Sequence, residues 1–209
     1  MKYIVTLGIG GCASKPYHRW VVDNLKHLEG NQDFKLLRYI GKYPEGSLTH
    51  AQSPYGFKVH AIKKAYDEGA TQIIWVDSAC TLLDPQRIFD EGKKRGVFAV
   101  GSCHKAAEFI RPDVLAHFGV TAQQLNDEDI YYVGGSVYSF YGEVGRAVFN
   151  DFYECERLGF FSTNGHEKHK WDEACMTLVL RKHGIRRAEL AGSGHPYDPT
   201  GPVAWKTSV

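Results

Sequence analysis

Several stretches of this sequence hold residue types that could do chemistry. Asp77 follows the apolar run Ile73-Ile74-Trp75-Val76 and precedes Ser78 and Ala79. A carboxylate at the carboxyl end of a buried strand is costly to desolvate unless it meets a metal, a sugar hydroxyl or a backbone donor. Capping the turn ahead of Thr81 to Pro85 is its plainer use. Gly8-Ile9-Gly10-Gly11-Cys12-Ala13 matches G-x-G-x-x-A, a turn whose N–H groups approach a pyrophosphate at a helix N-terminus. The second strand, however, ends Arg38-Tyr39-Ile40-Gly41 without an acidic residue for a ribose, and Pro16 stands where the phosphate-cradling helix should already run. The turn therefore reads as an NAD(P) site, as another kind of nucleotide contact, or as structure alone.

Gly134-Gly135 interrupts a run of Tyr and Val, where glycine marks a strand bulge or a close approach to the backbone. Tyr131, Tyr132 and Tyr138 around it are stacking surfaces for a sugar, or core. Asp172 and Glu173 open an apolar helical stretch, where the macrodipole favours carboxylates and where a carboxylate also suits general-base work. His166 and His169 have the spacing of a helical metal pair, but solvated loop histidines are commoner.

Alternating strands and helices must bring these residues together. Residues 3–8 form a short β-branched strand rather than a signal peptide. Trp20, Val21, Leu25 and Leu28 make a helical stripe within Lys15 to Leu28. Phe34 to Ile40 is a second strand, Gly41 to Pro54 a loop, Phe57 to Tyr66 a helix, and Gln72 to Val76 a strand buried on both faces. Asp84 caps a helix with Pro85 in its first turn that runs to about Lys94, and Gly96 to Gly101 is another strand. Residues 111–129 form a polar excursion and 130–140 a strand. Helices follow at 142–157 and 171–183, then a loop-like tail. The expected fold class is α/β, a single domain with a Rossmann-like, mostly parallel sheet flanked by helices. Ligands in such sheets sit outside the carboxyl ends of strands, which selects Gly8–Lys15, Asp77–Cys80 and Gly101–Lys105.

Composition excludes several classes. Hydrophobic residues make up 43% and charged residues 23%, a globular balance rather than a disordered one. With 25 Lys+Arg against 24 Asp+Glu, the chain has no bulk basic excess of the kind nucleic-acid binders use. No run is long and apolar enough for a transmembrane segment. The five cysteines (Cys12, Cys80, Cys103, Cys155 and Cys175) are odd in number and lack C-x-x-C spacing. They point to neither a zinc knuckle nor a disulfide framework, but to a reducing, cytoplasmic compartment.

Tyr55-Gly56-Phe57-Lys58 followed by a helix, then Ile73 to Ala79, resembles the nucleotide-sugar region of GT-A-fold glycosyltransferases. Tyr131 to Tyr138 is similar to the segment after their metal motif, and Lys170 to Met176 to their late acidic motif. The resemblance implies transfer of a sugar from a nucleoside diphosphate donor, UDP-sugar by default, to an acceptor hydroxyl. Residues 1–101 would be the nucleotide-binding half and 102–209 the acceptor-side half of the domain spanning 1–209. Thr6, Leu7 and Gly8 would frame the nucleobase with Arg38 nearby. Lys58, Asp77, Ser78 and Ala79 would bind the donor, and Gly134 and Gly135 would bound the sugar pocket. Asp172 or Glu173 would be the base, with Asp172 marginally preferred.

Ala79 stands where the family's motif has its second metal-binding Asp. Either His195 joins Asp77 in holding Mn²⁺ or Mg²⁺, or a cation such as Lys58, Lys15 or Arg38 takes over the metal's work. The acceptor is open: glycan, protein, small molecule or nucleic acid. Two rival readings are an NAD(P)-dependent oxidoreductase using Gly8–Ala13 and a non-catalytic nucleotide- or sugar-binding module.

Overall fold

The structure is a computed structural model that describes residues 1–10, 16–185 and 203–205. Its centre is a five-stranded sheet. β1 (Lys2–Gly8) lies between β2 (Lys35–Ile40) and β3 (Gln72–Val76), both parallel to it. β6 (Tyr131–Tyr141) runs antiparallel to β3 and also to β5 (Val97–Lys105) at the far edge, giving the order β2-β1-β3-β6-β5. Four of the five strands therefore point the same way, and the sheet is mixed but mostly parallel. All five residues of β3 are buried, as expected of a strand covered on both faces.

Helices cover both faces. α1 (Tyr17–Leu25) and α3 (Pro85–Arg95) lie over a core that includes Ile4, Ile74, Val76, Ile88 and Val137. α2 (Phe57–Asp67), α6 (Gly142–Arg157) and α7 (Trp171–Lys182) cover the opposite face over Tyr3, Val5, Trp75, Tyr138 and Phe140. Short helices α4 (Pro112–His117) and α5 (Ala122–Asp127) fill the polar excursion after β5. The cap expected of α3 is present: Asp84 Oδ1 accepts from the Arg87 N–H at 3.0 Å, with Pro85 in the first turn and Gly96 left-handed at the end.

The structure differs from the sequence reading in three places. β5 continues to Lys105, four residues past Gly101, because it keeps pairing with β6 through irregular register. β4 (Cys80–Leu82) pairs antiparallel with β7 (Val203–Trp205), a two-stranded ribbon too short to leave a periodic signal. His169 is neither a solvated loop histidine nor a free metal ligand. It is buried, its Nδ1 accepts from the Arg111 N–H at 3.2 Å and its Nε2 donates to the Phe160 carbonyl at 2.7 Å. Burial holds its pKa below the usual histidine value.

Gly8 closes β1 directly beneath α1. A Cβ on it would lie 2.4 Å from the Tyr17 carbonyl oxygen and 2.7 Å from Val21 Cγ2. That contact explains the glycine without a pyrophosphate. Replacing Gly8 by Ala should therefore cost about 1–3 kcal/mol of unfolding free energy through overpacking, read from urea denaturation.

Candidate functional site

β1 and β3 end side by side, and beyond their carboxyl ends lies a cleft of about 510 Å³. Leu7 and Ile9 form its floor. Tyr17 comes from α1, and Tyr43, His50 and Tyr55 from the loop between β2 and α2. Asp77, Ser78 and Ala79 close it along the turn after β3. Leu7, Asp77, Ser78 and Ala79, all singled out in the sequence, line this cleft. The aromatic wall was missed; its only trace in the sequence is the density of Tyr, His and Phe between residues 43 and 57.

Thr6, Gly8 and Arg38 do not line this cleft. Side chains alternate along a strand, so with Leu7 on the cleft side, Thr6 and Gly8 face α1. Thr6 is fully buried. Arg38 is Thr6's register partner on β2 and is paired with Glu29 at 2.5 Å. Their expected role at a nucleobase is therefore not supported by their positions. Lys15 and His195 lie outside the described residues. A second hollow of about 590 Å³, bordered by Lys42, His60, Lys63 and Tyr153, lies on the other side of Tyr43.

Asp77 joins the cleft to a buried charge cluster. Lys58, the second residue of α2, is 1% exposed. Its Nζ donates to the Gly135 carbonyl at 2.7 Å and to Asp172 Oδ2 at 2.9 Å, and lies 3.2 Å from Asp77 Oδ1. An ammonium has three N–H groups; two make these hydrogen bonds, and Asp77 adds an ion pair. The rings of Tyr55, Trp75 and Tyr138 stand 4.8, 5.8 and 5.8 Å from the same nitrogen. Burial alone would lower the Lys58 pKa, but Asp172 and then Asp77 outweigh it and hold the amine above its ordinary value.

Each acid has its own setting. Asp77 Oδ1 also accepts from Trp75 Nε1–H at 2.8 Å. Both contacts fall on that oxygen, so Oδ2 of this 26%-exposed side chain is left for the cleft. Burial raises the Asp77 pKa against the pull of Lys58. Asp172 is buried, and its Oδ2 accepts from the Tyr138 hydroxyl at 3.2 Å as well as from Lys58. Glu173 is half-buried, with Oε1 accepting from the Gly135 N–H at 2.9 Å. Burial and then the charge of Asp172 push its pKa up to about 7. His50, lining the cleft, is held below the usual histidine value by partial burial and Lys58.

The glycine pair serves this cluster. Ala99 pairs with Tyr138 but Val100 with Gly134, so Gly135-Ser136-Val137 is a bulge on β6. A Cβ on Gly135 would lie 2.8 Å from Asp172 Oδ2 and 2.9 Å from Lys58 Nζ. Its missing side chain makes room for protein charges rather than for a ligand. At Gly134 such a Cβ would make only an ordinary contact, 3.8 Å from the Val100 carbonyl oxygen. Of the three tyrosines near the pair, Tyr138 is fully buried, while Tyr132 stacks on His104 with ring centres 5.8 Å apart.

The divalent metal that a GT-A resemblance implies does not fit the described residues. No three His, Cys, Asp or Glu side chains among them converge to hold an ion. The inward oxygens of Asp77 and Asp172 already face an ammonium, and Ala79 adds no ligand.

No family model matches this chain, and no curated protein matches it in sequence. Among solved structures it is similar to a glycosyltransferase involved in the glycosylation of the major capsid of PBCV-1. Identity is 10% and the TM-score 0.46, over 91% of this chain and 78% of that one. No helix among the described residues is long and apolar enough to cross a membrane.

The Glu173 shift has a measurable sign. The folded protein keeps this proton to about pH 7, whereas the unfolded chain releases it near 4.5. Stability from this group is therefore full below the lower value and is lost as pH rises through the upper one. Glu173→Gln, which cannot ionise, should gain on the wild type by up to about 3 kcal/mol as pH rises across that range, measured by urea denaturation. A pH-independent difference would contradict the assignment.

Proposed function

We propose that this chain is a GT-A-like glycosyltransferase that moves a sugar from a nucleoside diphosphate sugar, UDP-sugar by default, to an acceptor hydroxyl. The observation that carries this reading is convergence. Lys58, Asp77, Gly135, Asp172 and Glu173 come from four separate elements and meet in one cluster at the carboxyl edge of the sheet. The cluster adjoins a cleft whose aromatic walls suit a nucleoside.

The geometry supports a division of roles. The cleft takes the base and ribose, with Tyr17, Tyr43 and Tyr55 as stacking surfaces and Asp77 Oδ2 accepting from a ribose hydroxyl. Gly134 bounds the sugar pocket. Residues 1–101 supply most of the nucleotide side and 102–209 the acceptor side. Glu173, rather than Asp172, is the proton-handling group. Asp172 is fixed by Lys58 and Tyr138 and has no freedom to reach an acceptor, whereas Glu173 is less buried and titrates near neutrality. A base works best with a pKa near the operating pH. If transfer inverts the anomeric centre, Glu173 takes the acceptor's proton; if it retains it, Glu173 orients substrate. The buried free thiols of Cys80, Cys155 and Cys175 suit a reducing, cytoplasmic setting.

The test is nucleotide release from a panel of UDP- and GDP-sugars, with and without candidate acceptors. Glu173→Gln should lower kcat by about 10²–10⁴-fold while leaving the Kd for UDP nearly unchanged. Asp172→Asn should lower both turnover and thermal stability. Undiminished turnover in Glu173→Gln would remove the base role. Nucleotide binding with no turnover of any donor would favour the non-catalytic module.

A further inference from the structure

We propose that Lys58 is a built-in cation, filling an oxygen cage of the kind that takes a hard divalent metal ion, so that the site works without one. The cage has three oxygens on three elements. Measured from Nζ, they are Gly135 O at 2.7 Å, Asp172 Oδ2 at 2.9 Å and Asp77 Oδ1 at 3.2 Å. Two carboxylates and a peptide carbonyl are donors that Mg²⁺, Ca²⁺ and Mn²⁺ select. A contraction of about 0.1 to 0.6 Å would bring them to the outer end, roughly 2.6 Å, of a calcium shell.

With Lys58 in place, a metal ion at this point would meet a positive charge at contact distance. Asp77 Oδ2 alone would offer it only one ligand. The ammonium performs two of a metal's tasks: it holds the two aspartates in register and offsets their charge. It does not reach a donor's phosphates, because it is buried, at 1% exposure, against Gly135 O, Asp172 Oδ2 and Asp77 Oδ1. A single charge also offsets only one of the two aspartates.

For the transfer reaction, this inference rests on the function proposed above; the exchange of ammonium for metal does not. The test is a Mn²⁺ titration followed by electron paramagnetic resonance, without nucleotide, on wild type and on Lys58→Ala. Lys58→Ala should bind one Mn²⁺ at least about tenfold more tightly than wild type, and adding Asp172→Asn should abolish the gain. A folded Lys58→Ala that binds Mn²⁺ no better than wild type would overturn the proposal. So would wild-type Mn²⁺ binding that Asp77→Asn removes, a result that does not require Lys58→Ala to fold.

Calorimetry of UDP binding to wild type gives a second arm. Equal affinity in EDTA and in millimolar Mn²⁺ supports the proposal, and a Mn²⁺ requirement of about tenfold or more overturns it. If UDP binds in neither condition, the donor reading fails, while the Mn²⁺ titration still decides the cage.

Discussion

The site depends on one buried ammonium. Desolvating an ion in a protein interior costs several kcal/mol, and a buried pair repays this only when its geometry and hydrogen bonds are complete. At Lys58 two hydrogen bonds and a second ion pair surround the ammonium, with aromatic rings beside it. Those oxygens belong to the turn after β3, the bulge of β6 and the first turn of α7. One side chain from α2 therefore ties together the elements on which the proposed chemistry rests. Removing a partner from such a pair typically costs about 3–5 kcal/mol, so the cluster constrains the fold as strongly as it shapes the site.

Two of the four left-handed non-glycine residues among the described ones stand beside this cluster. Tyr55 has φ 61° and Trp171 φ 39°, left-handed conformations that bulky residues rarely adopt. Such residues cost on the order of 1–3 kcal/mol each and persist only where the surroundings over-determine them. Tyr55 stands three residues before Lys58, and Trp171 immediately before Asp172. Their rings meet with centres 5.3 Å apart. The two irregular turns brace one another and aim the lysine and the aspartate from opposite helices.

Much of this was legible in the sequence, for reasons that differ by residue. The β3 strand and Asp77 were readable because four consecutive apolar residues, Ile73 to Val76, leave few alternatives to a doubly covered strand. The α3 boundaries followed from Asp84, Pro85 and Gly96, whose local chemistry does not depend on tertiary context. Lys58, Gly134-Gly135 and Asp172-Glu173 could be singled out by resemblance. Their meeting could not, since it depends on α2 and α7 packing on the same face of the sheet. The choice of Glu173 over Asp172 was equally hidden: adjacent carboxylates on a helix look alike until one is bound by a lysine and a tyrosine. That Thr6 and Arg38 lie away from the cleft was not legible, because the side of a strand that faces a cleft is set by which helix covers the other side. The aromatic wall escaped notice because it sits on a loop, where no periodicity marks which rings turn inward.

The central claim is that the cleft beside Asp77 receives the donor nucleotide and the charge cluster organises the chemistry next to it. The most direct measurement is a crystal structure of the protein with UDP. The account predicts the uracil between the rings of Tyr17, Tyr43 and Tyr55, the ribose against Asp77 and the diphosphate leading toward Gly134. UDP bound instead in the hollow beside Lys42 and Lys63, with the Asp77 cleft untouched, would contradict it.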